Sequence, residues 1–304
     1  MAGEGSQIKS TLFATGAILC WATVAIAFKW ALAFTSPAGL LFVSTLTATA
    51  GLWLWWGLKD GTVSVRRTLR ALPSGTWVRA ALLGFINPFL YYLILFKAYS
   101  LLPAQVAQSL NVIWPVLLVL LSIPILGQRI GWVALLGMGV SFAGALVIAT
   151  QGDFGSLASG RLQHPLGVAL AAVSAILWAL YFLLNMRSSL PGVSAMCLNF
   201  LFATLYIILY LTFSGSGSLL ATMPPKALWC GVYVGFFEMA VPFILWLNAL
   251  RSARNTAVVS SLIYVFPFLS LILIHFILKE PIYATTPVGL ALIVAGVLLA
   301  RSKR

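Results

Sequence analysis

Acid is what this sequence lacks most. Five aspartates and glutamates stand against 18 lysines and arginines in 304 residues, and charged residues of both signs make up only 8%. So few ionisable groups cannot coat a soluble globule of this size. Histidine is scarcer still, with His164 and His275 alone, both expected toward the external side. An intramembrane enzyme needs a nucleophile, base and orienter, or a metal set, and neither is visible, so no enzymatic activity, cofactor or metal is expected. The three cysteines, Cys20, Cys197 and Cys230, have no metal spacing and form no even-numbered framework. They read as packing residues. A ring of charges or a carbonyl filter, the mark of a channel, is missing as well. So is a glycine-rich nucleotide loop for ATP-driven work.

What the chain has is apolar length. Residues of hydrophobic type make up 62% of it, and a bilayer is crossed by about 20 mostly apolar residues per helix. Ten such runs are legible, at 11–29, 38–57, 77–98, 104–126, 131–150, 165–185, 195–213, 227–250, 255–278 and 284–301. The first reads as a span rather than a signal peptide: Glu4 accompanies Lys9 upstream, and no clear small-residue cleavage site follows. The formal charge of +13 invites a nucleic-acid reading, but its distribution argues against one. With the N-terminus in the cytoplasm, Lys9, Lys59, Arg66, Arg67, Arg70, Arg79, Arg129, Arg187, Arg251, Arg254, Arg301, Lys303 and Arg304 fall inside. Lys29, Lys97, Arg161, Lys226 and Lys279 fall outside, which accounts for all 18. The positive-inside rule then places both termini in the cytoplasm of a multi-pass membrane protein. An anionic lipid leaflet is partner enough for these charges, and no nucleic acid is expected.

The C-terminal half repeats the N-terminal half. Ser109-Leu110-Asn111-Val112-Ile113-Trp114-Pro115 lies over Ser261-Leu262-Ile263-Tyr264-Val265-Phe266-Pro267 at an offset of 152 residues. The same offset carries Leu126 onto Leu278, Ile130 onto Ile282, Gly137 onto Gly289 and Gly144 onto Gly296. Five spans per half means that the second copy enters the bilayer from the opposite side. The expected fold is therefore all-α, a polytopic membrane protein of ten transmembrane helices in two inverted five-helix repeats. The first repeat is expected at 1–150 and the second at 165–304, joined by a polar external linker at 151–164. Two inverted copies can exchange conformations around a site between them, which is the design of a transporter.

Glu238 is the most unusual residue, an acid near the centre of the 227–250 run. Insertion of such a group costs on the order of 3 kcal/mol, so it is expected to face a wet cavity or an internal partner. Contact with a substrate ammonium, carriage of a proton, and a neutral carboxyl bonded to a neighbouring helix all remain open. Most of the 11 tryptophans sit near helix ends, as interfacial belts require: Trp30, Trp53, Trp55, Trp56, Trp77, Trp132, Trp229 and Trp246. Trp21, Trp114 and Trp178 lie at mid-depth instead, where large rings wall a pocket or simply pack. Polar groups share that depth. Gln108, Asn111 and Pro115 occupy one face of the fourth run; Ser260, Tyr264 and Pro267 do so in the ninth, Asn87 and Tyr91 in the third, and Tyr181 follows Trp178 in the sixth. Uncharged donors beside aromatic walls suit a zwitterion with an apolar side chain; interhelical hydrogen bonding is the plainer explanation. Pro88/Pro242 and Pro115/Pro267 are equivalent mid-helix pairs that predict kinks. Gly137, Ser141 and Gly144, matched by Gly289 and Gly296, predict a close helix crossing. His275 reads as an interfacial or capping residue.

Several short motifs resemble the drug/metabolite transporter superfamily, in its ten-helix, two-repeat branch of metabolite exporters. Trp21 followed by Lys29 is similar to the first-helix signature. Ala98-Tyr99-Ser100, Pro115 and Gly127-Gln128-Arg129 follow the first repeat, and Pro267, Leu278-Lys279-Glu280, Gly289 and Gly296 the second. Gln128 and Ser44 depart from it, standing where a glutamate and an arginine are common. The chain most resembles bacterial inner-membrane aromatic amino-acid exporters. That resemblance implies export of amino acids, aromatic or large apolar ones preferred, by alternating access through a central mid-membrane cavity. The candidate lining is Trp21, Asn87, Tyr91, Gln108, Asn111, Trp114, Trp178, Tyr181, Glu238, Ser260 and Tyr264. The competing expectation is a proton-coupled multidrug or cation exporter with Glu238 as the exchanging acid. A scaffold would need no lined cavity. The sequence carries no signal of oligomeric state.

Overall fold

The computed structural model describes residues 2–127, 131–154, 164–186, 190, 192–217, 222–253, 259 and 262–301. Among them, regular structure is helical throughout. In chain order the helices are α1 (Ala2–Leu32), α2 (Pro37–Asp60), α3 (Thr62–Ala71), α4 (Ser74–Gly84), α5 (Tyr91–Leu101), α6 (Ala104–Asn111), α7 (Trp114–Leu126) and α8 (Trp132–Thr150). Then follow α9 (Pro165–Asn185), α10 (Gly192–Phe213), α11 (Pro225–Val234), α12 (Val241–Ser252), α13 (Phe266–Leu273) and α14 (Thr285–Arg301). Among the described residues, eight continuous stretches are long and apolar enough to cross a bilayer, and two shorter apolar helices, Leu262–Leu278 and Thr285–Ala300, hold the ninth and tenth places. Gln128, Arg129, Ile130, most of the linker and Ser260 lie outside the described residues.

The surface confirms the solvent. Large apolar side chains stand exposed along the spans, among them Leu54, Leu120, Leu135, Leu146, Ile176, Leu209 and Phe276. A soluble protein does not carry so extended an apolar exterior, whereas a bilayer solvates it. Trp30, Trp55, Trp132 and Trp229 are exposed too, as members of an aromatic belt should be. The amphipathic α3 turns Val65 inward and leaves Arg66, Arg67 and Arg70 exposed.

Each of the four prolines marks a departure from regular helix. Asn87, the residue before Pro88, adopts φ −147° and ψ 126° between α4 and α5, because a following proline drives its neighbour out of the helical region. A wide turn over Phe85–Leu90 carries the chain past that point. The equivalent span repeats the device: a wide turn at Gly235–Ala240 precedes Pro242, with Ala240 at φ −118° and ψ −71°. The fourth span is interrupted between α6 and α7, just before Pro115. In the ninth, a tight turn at Leu262–Val265 precedes Pro267.

The chain divides into two compact units, 1–93 with 187–266, and 94–186 with 267–304. Each draws on both sequence halves. In the first, α1 packs along α12, and α2 along α10 and α11. Ser10 Oγ donates to the Ala249 carbonyl at 2.7 Å, and Ser44 Oγ to those of Leu40 and Gly231 at 2.8 and 3.2 Å. Thr49 and Thr204 meet with their hydroxyls 2.9 Å apart. These threonines stand 155 residues apart, between the offsets of 157 for Trp21/Trp178 and 154 for Pro88/Pro242. They therefore lie at similar places in corresponding spans of the two halves.

The second unit shows the same relation more fully. Its backbone is the crossing of α8 with α14. A Cβ on Gly137 would lie 2.5 Å from the Gly296 carbonyl oxygen, and one on Gly144 2.5 Å from that of Gly289. Only glycine permits so close an approach. Gly137 is the counterpart of Gly289 and Gly144 that of Gly296, so the contacts are reciprocal, as a two-fold axis requires. Midway, Ser141 Oγ donates at 3.0 Å to the carbonyl of Ile293, its own counterpart at the offset of 152. Elsewhere in this unit α9 packs on α6 and α7, and Glu280 Oε1 accepts from the Ala104 N–H at the start of α6 at 3.1 Å.

Candidate functional site

In the first unit the wide turn of residues 235–240 sets the site. Pro242 has no N–H to give the carbonyl four residues back, that of Glu238. The indole N–H of Trp21 donates to it instead, at 3.4 Å. Trp21 is fixed there by rings: Phe243 at 5.6 Å edge-on, Trp246 at 5.8 Å and Phe266 at 6.5 Å. The Glu238 side chain accepts from the Tyr92 hydroxyl, Oε1 to Oη 3.0 Å. Tyr92 is almost wholly buried, and Glu238 is partly accessible. Among the described residues no lysine, arginine or histidine pairs with Glu238. Nearby, Thr23 Oγ1 and the Tyr233 hydroxyl are 2.6 Å apart, and Tyr233 stacks on Phe237 at 4.7 Å.

Asn87 is 3% exposed, and its side-chain oxygen has no partner among the described residues. Tyr91 is buried with its ring 4.6 Å from that of Tyr92, and Tyr264 is buried in its tight turn. Of the residues expected from sequence in this unit, Trp21 and Glu238 are brought into direct contact.

The second unit holds Gln108, Asn111, Trp114, Trp178 and Tyr181. Trp114 and Trp178 meet edge-on at 6.3 Å, Phe182 lies 5.9 Å from Trp114, and Tyr181 lies 6.1 Å from Trp178. The polar groups are bonded across helices. Ser270 Oγ donates to Gln108 Oε1 at 2.7 Å. Asn111 Nδ2 donates to Ser174 Oγ at 2.9 Å, and Ser174 Oγ in turn donates to the Ala171 carbonyl at 2.7 Å. The aromatic pairs obey the repeat: Trp21 with Phe266 in one unit matches Trp178 with Trp114 in the other.

Sequence reasoning missed Tyr92, Ser174 and Ser270, and placed Trp246 in the belt although it packs on Trp21. His275 Nδ1 donates to the carbonyl of Glu280, just past the end of its own helix, at 2.9 Å. Among the described residues no metal-binding group of histidines, cysteines and acids occurs. A cavity of about 310 Å³ lies at Leu32–Ser36, Thr222 and Met223, apart from these clusters.

Inverted copies, helices broken at equivalent prolines, and polar groups beside aromatic rings at those breaks define a membrane transporter. The profile of the EamA-like transporter family matches the chain twice, over residues 8–150 and 165–302. The chain belongs to that family, within the drug/metabolite transporter superfamily. It is 28% identical over 291 residues to a probable terminal-alkyne amino-acid exporter of Streptantibioticus cattleyicolor, covering 92% of each chain. It is 27% identical over 302 residues to the aromatic amino acid exporter YddG of Ancylobacter novellus, covering 97% of this chain and 98% of that one. An uncharacterized transporter of Bacillus subtilis, YvbV, is 23% identical over 299 residues, 98% of this chain and 93% of it. A solved crystal structure shares the fold with a TM-score of 0.62 at 23% identity, over 97% of both chains. The protein is a multi-pass membrane protein of a transporter family.

Proposed function

We propose that this chain exports amino acids, aromatic and large apolar ones preferred, across a bacterial inner membrane by alternating access, with both termini in the cytoplasm. The repeats at 1–150 and 165–304 are the alternating copies in this reading, with 151–164 as the external linker. The observation that carries it is the duplicated aromatic pair, Trp21 with Phe266 and Trp114 with Trp178, each at a proline-broken helix. The names of the exporter relatives agree with it. Paired rings offer a planar side chain stacking worth about 0.5–1.5 kcal/mol beyond burial, or about 2–10-fold in affinity. Breaks in the helices free backbone groups for a polar ligand and supply hinges. Trp21, Asn87, Tyr91, Gln108, Asn111, Trp114, Trp178, Tyr181, Glu238, Ser260 and Tyr264 are the proposed contacts. Ser270 and Ser174 bond Gln108 and Asn111, and in this reading those bonds orient the two amides.

The test is flux in proteoliposomes loaded with phenylalanine, tryptophan, methionine or alanine. Trp178→Ala is expected to lower phenylalanine and tryptophan flux by about 2–10-fold while sparing alanine. Unchanged flux and selectivity in folded Trp178→Ala and Asn111→Ala proteins overturns the assignment. Movement of lipophilic cations without any amino-acid flux replaces it with multidrug export.

A further inference from the structure

We infer that Glu238 is the ammonium-recognition group of this transporter and that Tyr92 positions it, so that the substrate class is a primary amine carrying an apolar or aromatic body. This rests on the amino-acid reading for its transported substrate but not for its chemistry.

The carboxylate stands in the wide turn of 235–240, with Phe236, Phe237 and Met239 beside it in sequence. Its hydrogen bond comes from a neutral phenol, Tyr92, at 3.0 Å, and no described basic residue balances its charge. A charge held in an apolar span without a countercharge is costly, and such groups mark ligand or ion pathways. Glu238 is partly accessible whereas Tyr92 is buried, so the acid is the member of the pair that a ligand reaches. Its backbone carbonyl, left by Pro242, is tied to Trp21, which fixes the residue in place. The Trp21 ring, with Phe243 at 5.6 Å, brings π surface to the same turn. Carboxylate, phenol and indole together suit a cation with N–H donors. Tyr92 acts through Glu238: its hydroxyl holds one carboxylate oxygen and thereby orients the other.

The experiment compares phenylalanine with two analogues, phenethylamine, which lacks the carboxylate, and 3-phenylpropionate, which lacks the amine. Flux in proteoliposomes and thermal stabilisation of the purified protein are both measured. Wild type is expected to be stabilised by phenylalanine and phenethylamine and not by 3-phenylpropionate. Glu238→Gln is expected to raise the phenylalanine KM at least about tenfold, the weight of one charge-assisted hydrogen bond, and to erase discrimination between the two analogues. Glu238→Asp recovers part of both. Tyr92→Phe raises KM by a smaller factor with maximal flux unchanged. Equal stabilisation by the two analogues in wild type overturns the inference, as does an equal loss for all three ligands in Glu238→Gln. So does accumulation driven by an imposed pH gradient that Glu238→Gln abolishes while exchange survives, since that is a proton carrier. If wild type binds phenethylamine through Glu238 but moves no amino acid, the amino-acid reading falls and the ammonium site stands.

Discussion

Adding one methyl group to α8 tests the glycine crossing directly. In Gly144→Ala the new Cβ falls 2.5 Å from the Gly289 oxygen, 2.8 Å from Leu292 Cβ and 2.9 Å from the Ile293 nitrogen. Two of these are backbone atoms that no rotamer change can move, so α8 and α14 must part by roughly 0.5–1 Å along their contact. Overpacking of this kind costs about 1–3 kcal/mol, against a helix-propensity gain of about 0.5–1 kcal/mol for replacing glycine by alanine. Gly139→Ala on the same helix is the control, because nothing lies within 4 Å of its Cβ position. It takes the propensity gain without the clash. Subtracting the two variants removes the propensity and leaves the packing cost, about 1–3 kcal/mol or several degrees in Tm. Melting of the purified protein in detergent measures it. Gly296→Ala, the counterpart substitution, is expected to fall by a comparable amount, since its Cβ meets the Gly137 oxygen and Ser141. A Gly144→Ala protein that melts at or above Gly139→Ala refutes the reciprocal crossing.

Two further outcomes are expected. In a chain with its native cysteines replaced, Ser216→Cys and Ser156→Cys should react with an impermeant thiol reagent added outside intact cells and Ser302→Cys should not; labelling at 302 reverses the orientation. Thr49→Val and Thr204→Val should couple in a double-mutant cycle by about 0.6 kcal/mol, as for an ordinary hydrogen bond between spans; strictly additive effects would deny that their hydroxyls meet.

How much of this was legible in sequence depended on how local the cause is. Membrane-length runs, proline interruptions and the glycine spacing are properties of single segments, and each appears where its residues are. Tyr92 shows where such reading stops. On a regular helix Tyr91 shares a face with Asn87, four residues back. The break at Asn87, with φ −147° and ψ 126°, interrupts that face before the next helix begins. Tyr92 rather than Tyr91 therefore reaches Glu238. Gln108 and Asn111 show a second limit. Their shared polar face was readable, but Ser270 and Ser174, 162 and 63 residues away, were not nameable as partners. Trp246 shows a third, since nearness to a helix end says nothing of whether Trp21 lies opposite.

The Ser141–Ile293 contact has an implication for where such a chain comes from. A surface that fits its own upside-down copy requires no second gene. A five-span polypeptide that enters the bilayer in both orientations already carries every atom needed to close this junction with another molecule of itself. Tethering the two end to end removes the dilution that limits such an association. It also lets each copy differ from the other, and the pair at the centre shows such a difference: one copy presents a serine hydroxyl, and the other an isoleucine whose main-chain carbonyl accepts from it.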